Sequence, residues 1–161
     1  QKYAKPDVNP LFTFAVPGYN MRSTEINAVL GLEQIRRLDY NIERRQHNLN
    51  IWLSSLDNSL YYTDYNVDGS SNYALPLILK EGGDRMREVC DILEEDGVEY
   101  RLGTAGGGNQ TRQPYLDRYD YKTVGALETS DYIHDHGLYI GNHPGLTDSQ
   151  IKNLCERLNN V

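Results

Sequence analysis

An aromatic ring, a carboxamide and a guanidinium stand close together in the run Pro17-Gly18-Tyr19-Asn20-Met21-Arg22-Ser23-Thr24-Glu25, which leads directly into Ile26-Asn27-Ala28-Val29-Leu30-Gly31-Leu32. A polar, turn-forming loop joined to a nearly all-apolar helix presents Tyr19, Asn20 and Arg22 as a fixed set at a buried helix N-terminus. Such an arrangement builds a site rather than a surface loop.

A second cluster lies in Gly103-Thr104-Ala105-Gly106-Gly107-Gly108-Asn109-Gln110. Bare backbone amides can cradle phosphate oxygens, but no GK[ST] ending follows and no helix opens behind the glycines. Neither the Walker nor the dinucleotide fingerprint fits. Two readings stay open: a mobile loop that closes over a ligand with Asn109 and Arg112 as its polar tips, and a plain surface turn. His143, in Gly141-Asn142-His143-Pro144-Gly145, reads as a hydrogen-bonded structural residue that is also placed to touch a ligand. His134 and His136 are expected at a solvated helix end, because i, i+2 spacing points the two rings apart and no third metal ligand is near. No metal site is expected. Cys90 and Cys155 fall on apolar helix faces where a thiolate is disfavoured, and they read as reduced core residues of a cytoplasmic protein. Glu94, Glu95 and Asp96 read as a solvated helix end. None of these groups reads first as a catalyst.

The elements that must position these residues follow from apolar spacing. Residues 23–38 form a helix buried on most sides, and residues 40–56 a long amphipathic one. Strands are expected at 60–63 and 73–79, the second at a sheet edge or irregular because Pro76 has no donor for a ladder. Met86, Val89, Cys90 and Leu93 define a helix that ends at Gly97. A short strand at 98–102, a weak helix over 121–136 and a strand at 138–141 come next. Thr147 and Gln150 form a capping box for a terminal helix carrying Ile151, Leu154, Cys155 and Leu158. The order lacks a regular βαβ rhythm, so the expected class is α+β, a small, largely antiparallel sheet with helices on one side.

At 161 residues the chain reads as one domain. It begins with Gln1 and an irregular lead-in, which suggests that an N-terminal portion precedes it. A net charge of −7 argues against nucleic acid as a partner. No apolar window of membrane-spanning length and no signal peptide is present, so no membrane is expected. Thirteen tyrosines against two phenylalanines suit sugar-binding clefts and ordinary half-buried packing alike.

The run from Gly18 through Leu32, continued by Glu33-Gln34-Ile35-Arg36-Arg37-Leu38-Asp39, closely resembles the GYNxRxTExQAAxGLxQLxxLD stretch of the DegT/DnrJ/StrS family. These are pyridoxal-phosphate enzymes acting on nucleotide-linked keto sugars. Tyr100-Arg101-Leu102, the run from Gly108 to Tyr115, the run from Thr123 to Asp131, and Pro144-Gly145-Leu146-Thr147 resemble the 3-dehydratase branch that acts on CDP-4-keto-6-deoxyglucose in O-antigen synthesis. The resemblance implies that residues 1–161 are the C-terminal small domain of a fold type I enzyme using pyridoxal or pyridoxamine 5′-phosphate, with the large cofactor-binding domain absent. Dehydration at C3 of the sugar is favoured over transamination, with a non-catalytic sugar-binding or regulatory module as a further alternative. No Ser-x-x-Lys cofactor segment is visible, so the chain alone is expected to be inactive.

By the same resemblance Asn20 reaches the cofactor phosphate of the neighbouring subunit in a homodimer, a role suited to a neutral amide donor near a helix N-terminus. Tyr19 and Arg22 match positions near the nucleotide sugar, Arg22 as a bidentate partner for the diphosphate. Arg101, Asn109, Arg112 and His143 carry over as further substrate contacts. His143 departs from the aromatic residue more usual at its place in the dehydratases.

Overall fold

The computed structural model describes residues 22–103, 107–112 and 120–161. The chain divides into two units, residues 1–37 and 38–161. In the first, α1 (Glu25–Ile35) is capped by Thr24, whose hydroxyl accepts from the Asn27 amide. None of its residues is buried, and Ile26, Val29, Leu30, Leu32 and Ile35 are all well exposed, against the expectation of a helix buried on most sides. The apolar run is there, but none of the described residues buries it.

The second unit is built on a three-stranded antiparallel sheet of order β1-β3-β2, from β1 (Ala74–Ile78), β2 (Tyr100–Leu102) and β3 (Gly137–Gly141). Alternation puts Leu75 and Leu77 of β1 and Leu138 and Ile140 of β3 on the core face, paired Leu75 with Ile140 and Leu77 with Leu138. Three helices supply the facing residues. α2 (Leu38–Ser55) gives Leu49 and Trp52, α3 (Asp84–Glu95) gives Val89 and Leu93, and α5 (Asp148–Leu158) gives Ile151, Cys155 and Leu158. Ala74, Pro76, Ile78 and Tyr139, on the opposite face, are only half-buried. The α+β expectation of a small antiparallel sheet with helices holds, with α2, α3 and α5 packed on its core face.

Local chemistry sets most boundaries. α3 ends in a Schellman motif: Gly97 is left-handed at φ 67°, its amide reaches the Glu94 carbonyl, and the Val98 amide reaches that of Leu93. α5 begins with the expected capping box, in which the Thr147 hydroxyl accepts from the Gln150 amide and the Gln150 side chain accepts from the Thr147 amide. Thr147→Ala is expected to cost about 1 kcal/mol in urea unfolding, whereas an unchanged midpoint would mean that the box contributes nothing.

Two expected elements differ. At 60–63 only a single bridge forms, Tyr61 with Leu79. The Tyr62 amide bonds the Ile78 carbonyl and the Lys80 amide bonds that of Leu60. The next outward position along β1 is Pro76, which has no N–H, so the ladder stops there. At 121–136 the helix is confined to α4 (Glu128–His136), because Gly125 adopts φ 74° within the preceding stretch.

Candidate functional site

Of the residues expected at the opening loop, Tyr19 and Asn20 lie outside the described residues. Arg22 is exposed, two positions before the Thr24 cap.

Asn109 and Arg112 are brought together, and their shared partners lie on α4. The glycine-rich segment approaches that helix closely: a Cβ on Gly108 would stand 2.6 Å from the His134 Cα, and one on left-handed Gly103 would stand 3.3 Å from its Nε2. These glycines serve helix packing. Beyond them Asn109 is buried, with 5 % exposure. It donates Nδ2 to the Asp131 carboxylate at 2.9 Å, while its Oδ1 accepts from the amide and the hydroxyl of Thr111. Arg112, in the 3-10 turn Gln110–Arg112, donates Nε to Asp131 at 2.8 Å. Its two terminal nitrogens fork onto the Asp135 carboxylate at 2.6 and 2.9 Å. The hydrogen bond from Asn109, then that from Arg112, holds the Asp131 carboxyl below the usual carboxylate range, and Arg112 does the same for Asp135.

The other candidates stand on different elements. Arg101 is an exposed residue of β2, paired in register with Tyr139, and donates to the Tyr100 carbonyl. His143 is exposed in the turn after β3, where its Nδ1 accepts from the Gly145 amide at 2.9 Å. Its neighbour Asn142 is buried and fixes that turn. Asn142 accepts from Asn48 of α2 and donates to the carbonyls of Arg45 and Asn72.

A groove of about 470 Å³ runs beside α4, lined by Tyr62, Tyr65, Tyr132, Ile78 and Ile133 with Asp64, Glu128 and Thr129. The rings of Tyr62 and Tyr132 meet edge to face at 5.9 Å, and Tyr132 stacks on His136 at 4.2 Å. Tyrosine faces beside carboxylates suit sugar C–H groups and hydroxyls and disfavour phosphate. His134 and His136 are therefore half-buried packing residues, which corrects the solvated helix end expected for them. Glu94, Glu95 and Asp96 are exposed, as expected of a solvated helix end, and Glu95 and Asp96 pair there with Arg157. Cys155 is buried, and burial pushes its thiol up to about 12. Among the described residues no cluster of His, Cys, Asp or Glu could hold a metal, and no helix is long and apolar enough to cross a membrane.

Sequence reasoning missed Asp131, Asp135 and Asn142 as partners. The i, i+4 spacing of the two aspartates, which sets both carboxylates on one helix face, was the available signal.

Comparison with known proteins gives this arrangement its context. The chain is 34 % identical over 145 residues to GDP-4-keto-6-deoxy-D-mannose 3-dehydratase of Yersinia pseudotuberculosis, covering 89 % of this chain and 37 % of that protein. It is 29 % identical to dTDP-4-dehydro-2,6-dideoxy-D-glucose 3-dehydratase of Saccharopolyspora spinosa, covering 95 % and 34 %. The solved structure of the E. coli GDP-4-keto-6-deoxy-D-mannose 3-dehydratase with bound hydrated PLP superposes with a TM-score of 0.76 at 27 % identity, over 92 % of this chain and 38 % of that one. The chain therefore spans little more than a third of the length of these relatives. Their names carry GDP and dTDP sugars rather than the CDP sugar of the initial resemblance. The profile of the DegT/DnrJ/EryC1/StrS aminotransferase family matches residues 4–159, and this chain belongs to that family.

Proposed function

We propose that this chain is the C-terminal small domain of an enzyme that uses pyridoxal or pyridoxamine 5′-phosphate on a nucleotide-linked 4-keto-6-deoxy sugar, removing the hydroxyl at C3. The observation that carries this reading is the 34 % identity, over nearly the whole chain, to a 3-dehydratase. The wider family is named for aminotransferases, and amine installation is the second reading. The setting is cytoplasmic O-antigen sugar synthesis, and the assembly is a homodimer. The exposed apolar face of α1 is the surface that a large domain or a second subunit would cover.

The residues present suit the anionic end of the cofactor and substrate. The N-terminus of α1 carries the positive end of the helix dipole, with the exposed Arg22 two positions before its cap. Asn20 donates its amide to the cofactor phosphate, and Tyr19 and Arg22 hold the nucleotide sugar. Arg101 and His143 border the substrate from the sheet and from the turn after β3, while Asn109 and Arg112 act on it through the loop they organise. Pyridoxamine phosphate, when bound, supplies the amine and the electron sink that deoxygenation beside a keto group requires. This chain's part is to bind, orient and exclude water.

In the complete enzyme, Asn20→Ala is expected to loosen the cofactor roughly tenfold to a hundredfold, by loss of a hydrogen bond to a charged group. Arg22→Ala should spare cofactor affinity and raise KM for the nucleotide sugar. Unchanged cofactor affinity in the first variant removes the role given to Asn20. The reaction itself is tested by mass spectrometry of the sugar product. A deoxygenated sugar supports the first reading, an amino sugar the second, and neither product overturns both.

A further inference from the structure

Arg112 brings one positive charge to two carboxylates, and every guanidinium nitrogen of its fork already has an aspartate partner: Nε and one terminal nitrogen reach Asp131, and both terminal nitrogens reach Asp135. Asn109, buried a few residues earlier, is held by the same Asp131. Gly103 and Gly108 set the loop directly on His134, between the two aspartates in sequence. Loop and helix thus meet over one turn of α4, and the cluster carries a net charge of −1 with the imidazoles neutral. A diphosphate arriving there would meet two aspartates whose partner guanidinium, that of Arg112, is already engaged.

We propose that Asp131 and Asp135 are positioning residues that clamp residues 107–112 onto α4, and that Arg112 serves this clamp and is not a ligand for the nucleotide diphosphate. The clamp acts on a site next to the nucleotide sugar only if the function proposed above holds. The clamp itself does not depend on that function.

The charged and titratable groups facing it are Arg112 from the loop and Asp131, Asp135, His134 and His136 from α4. Both carboxyls are held below their ordinary value in the folded chain, so the clamp is complete above the unfolded carboxyl pKa and is lost as pH falls through the folded one.

Trypsin reads the clamp directly, because cleavage after Arg112 requires the guanidinium to enter the protease instead. At neutral pH Asp131→Asn and Asp135→Asn in the full 161-residue chain are expected to be cut after Arg112 roughly three to ten times faster. Cutting after Arg87, which pairs with Asp84 elsewhere, should keep its rate. Asp135→Glu should restore much of the protection. Equal rates after Arg112 in all variants overturn the proposal. On the unmodified chain, the Arg112 Nε–H resonance should stay protected from about pH 7 down to the carboxylate range near pH 4 and vanish below it. Loss while both carboxylates remain ionised also overturns the clamp. Addition of GDP should leave this resonance in place, and a saturable shift would return Arg112 to the role of an anion ligand. None of these readouts uses turnover, so a failed assay for deoxygenation leaves them intact.

Discussion

Trp52→Ala is expected to lower the free energy of unfolding by about 3 to 5 kcal/mol, a large part of the roughly 5 to 15 kcal/mol typical of a domain. Trp52 is fully buried at the centre of the core, and its indole N–H donates to the Pro76 carbonyl at 2.7 Å. It therefore joins α2 to the edge strand by packing and by a directed bond together. Its removal opens a cavity between α2, β1 and α5 that the surrounding leucines can fill only in part. Urea unfolding followed by far-UV circular dichroism reads the loss. Trp52→Phe separates the two contributions, since it retains most of the apolar volume and costs about 1 to 3 kcal/mol through the carbonyl left without a donor. A loss under about 1 kcal/mol for the alanine variant would be incompatible with a residue at the centre of a packed core.

The second large effect is expected at Asn142. Asn142→Leu removes a buried carboxamide that joins α2, the segment before β1 and the end of β3. It strands the carbonyls of Arg45 and Asn72, while Asn48 keeps only its bond to the His143 carbonyl. Two or more desolvated groups without partners cost about 3 kcal/mol or more together. Leucine has nearly the right size, so a small loss would mean that water replaces the carboxamide. Hydrogen exchange should find the damage concentrated at residues 141–146 and 72–74, with α3 little affected. An even loss of protection throughout would mean that Asn142 supports the whole core and not this junction.

What could be read from the sequence follows the range of the interactions involved. The capping box at Thr147 and Gln150 and the stop at Gly97 depend on neighbours in the chain, and both stand where the residues put them. The apolar spacing of α3 and α5 likewise identified Val89, Leu93, Ile151, Cys155 and Leu158 as core. The residues Leu60, Tyr61, Tyr62 and Thr63 have strand character, but their ladder depends on what the adjacent strand can offer, and Pro76 offers no N–H. The edge position of β1 was legible from Pro76, whereas its effect on the neighbouring segment was not. In the candidate site, Asn109 and Arg112 stood out as polar tips beside glycines. Their partners lie about twenty residues further along the chain, on a helix whose spacing showed only weak amphipathicity. The cradle suggested by the glycines became a packing contact because a helix backbone occupies the space that a Cβ would need. The GYN loop was singled out from its residue types and given a role by resemblance, and its Tyr19 and Asn20 lie outside the described residues.

The same proline that ends the ladder beside β1 bears on how molecules of this protein avoid one another. An open strand edge is a template for another chain, and β-rich assemblies grow by adding strands to it. Here β1 is flanked by one bridge and then by a residue without a donor, while β2 at the opposite edge is three residues long and carries Arg101 at its middle. Neither edge can sustain a run of intermolecular backbone bonds. Among the described residues, strand addition is thus disfavoured at both edges of the sheet, and side-chain surfaces such as the exposed apolar face of α1 are left as the places where another molecule could pack.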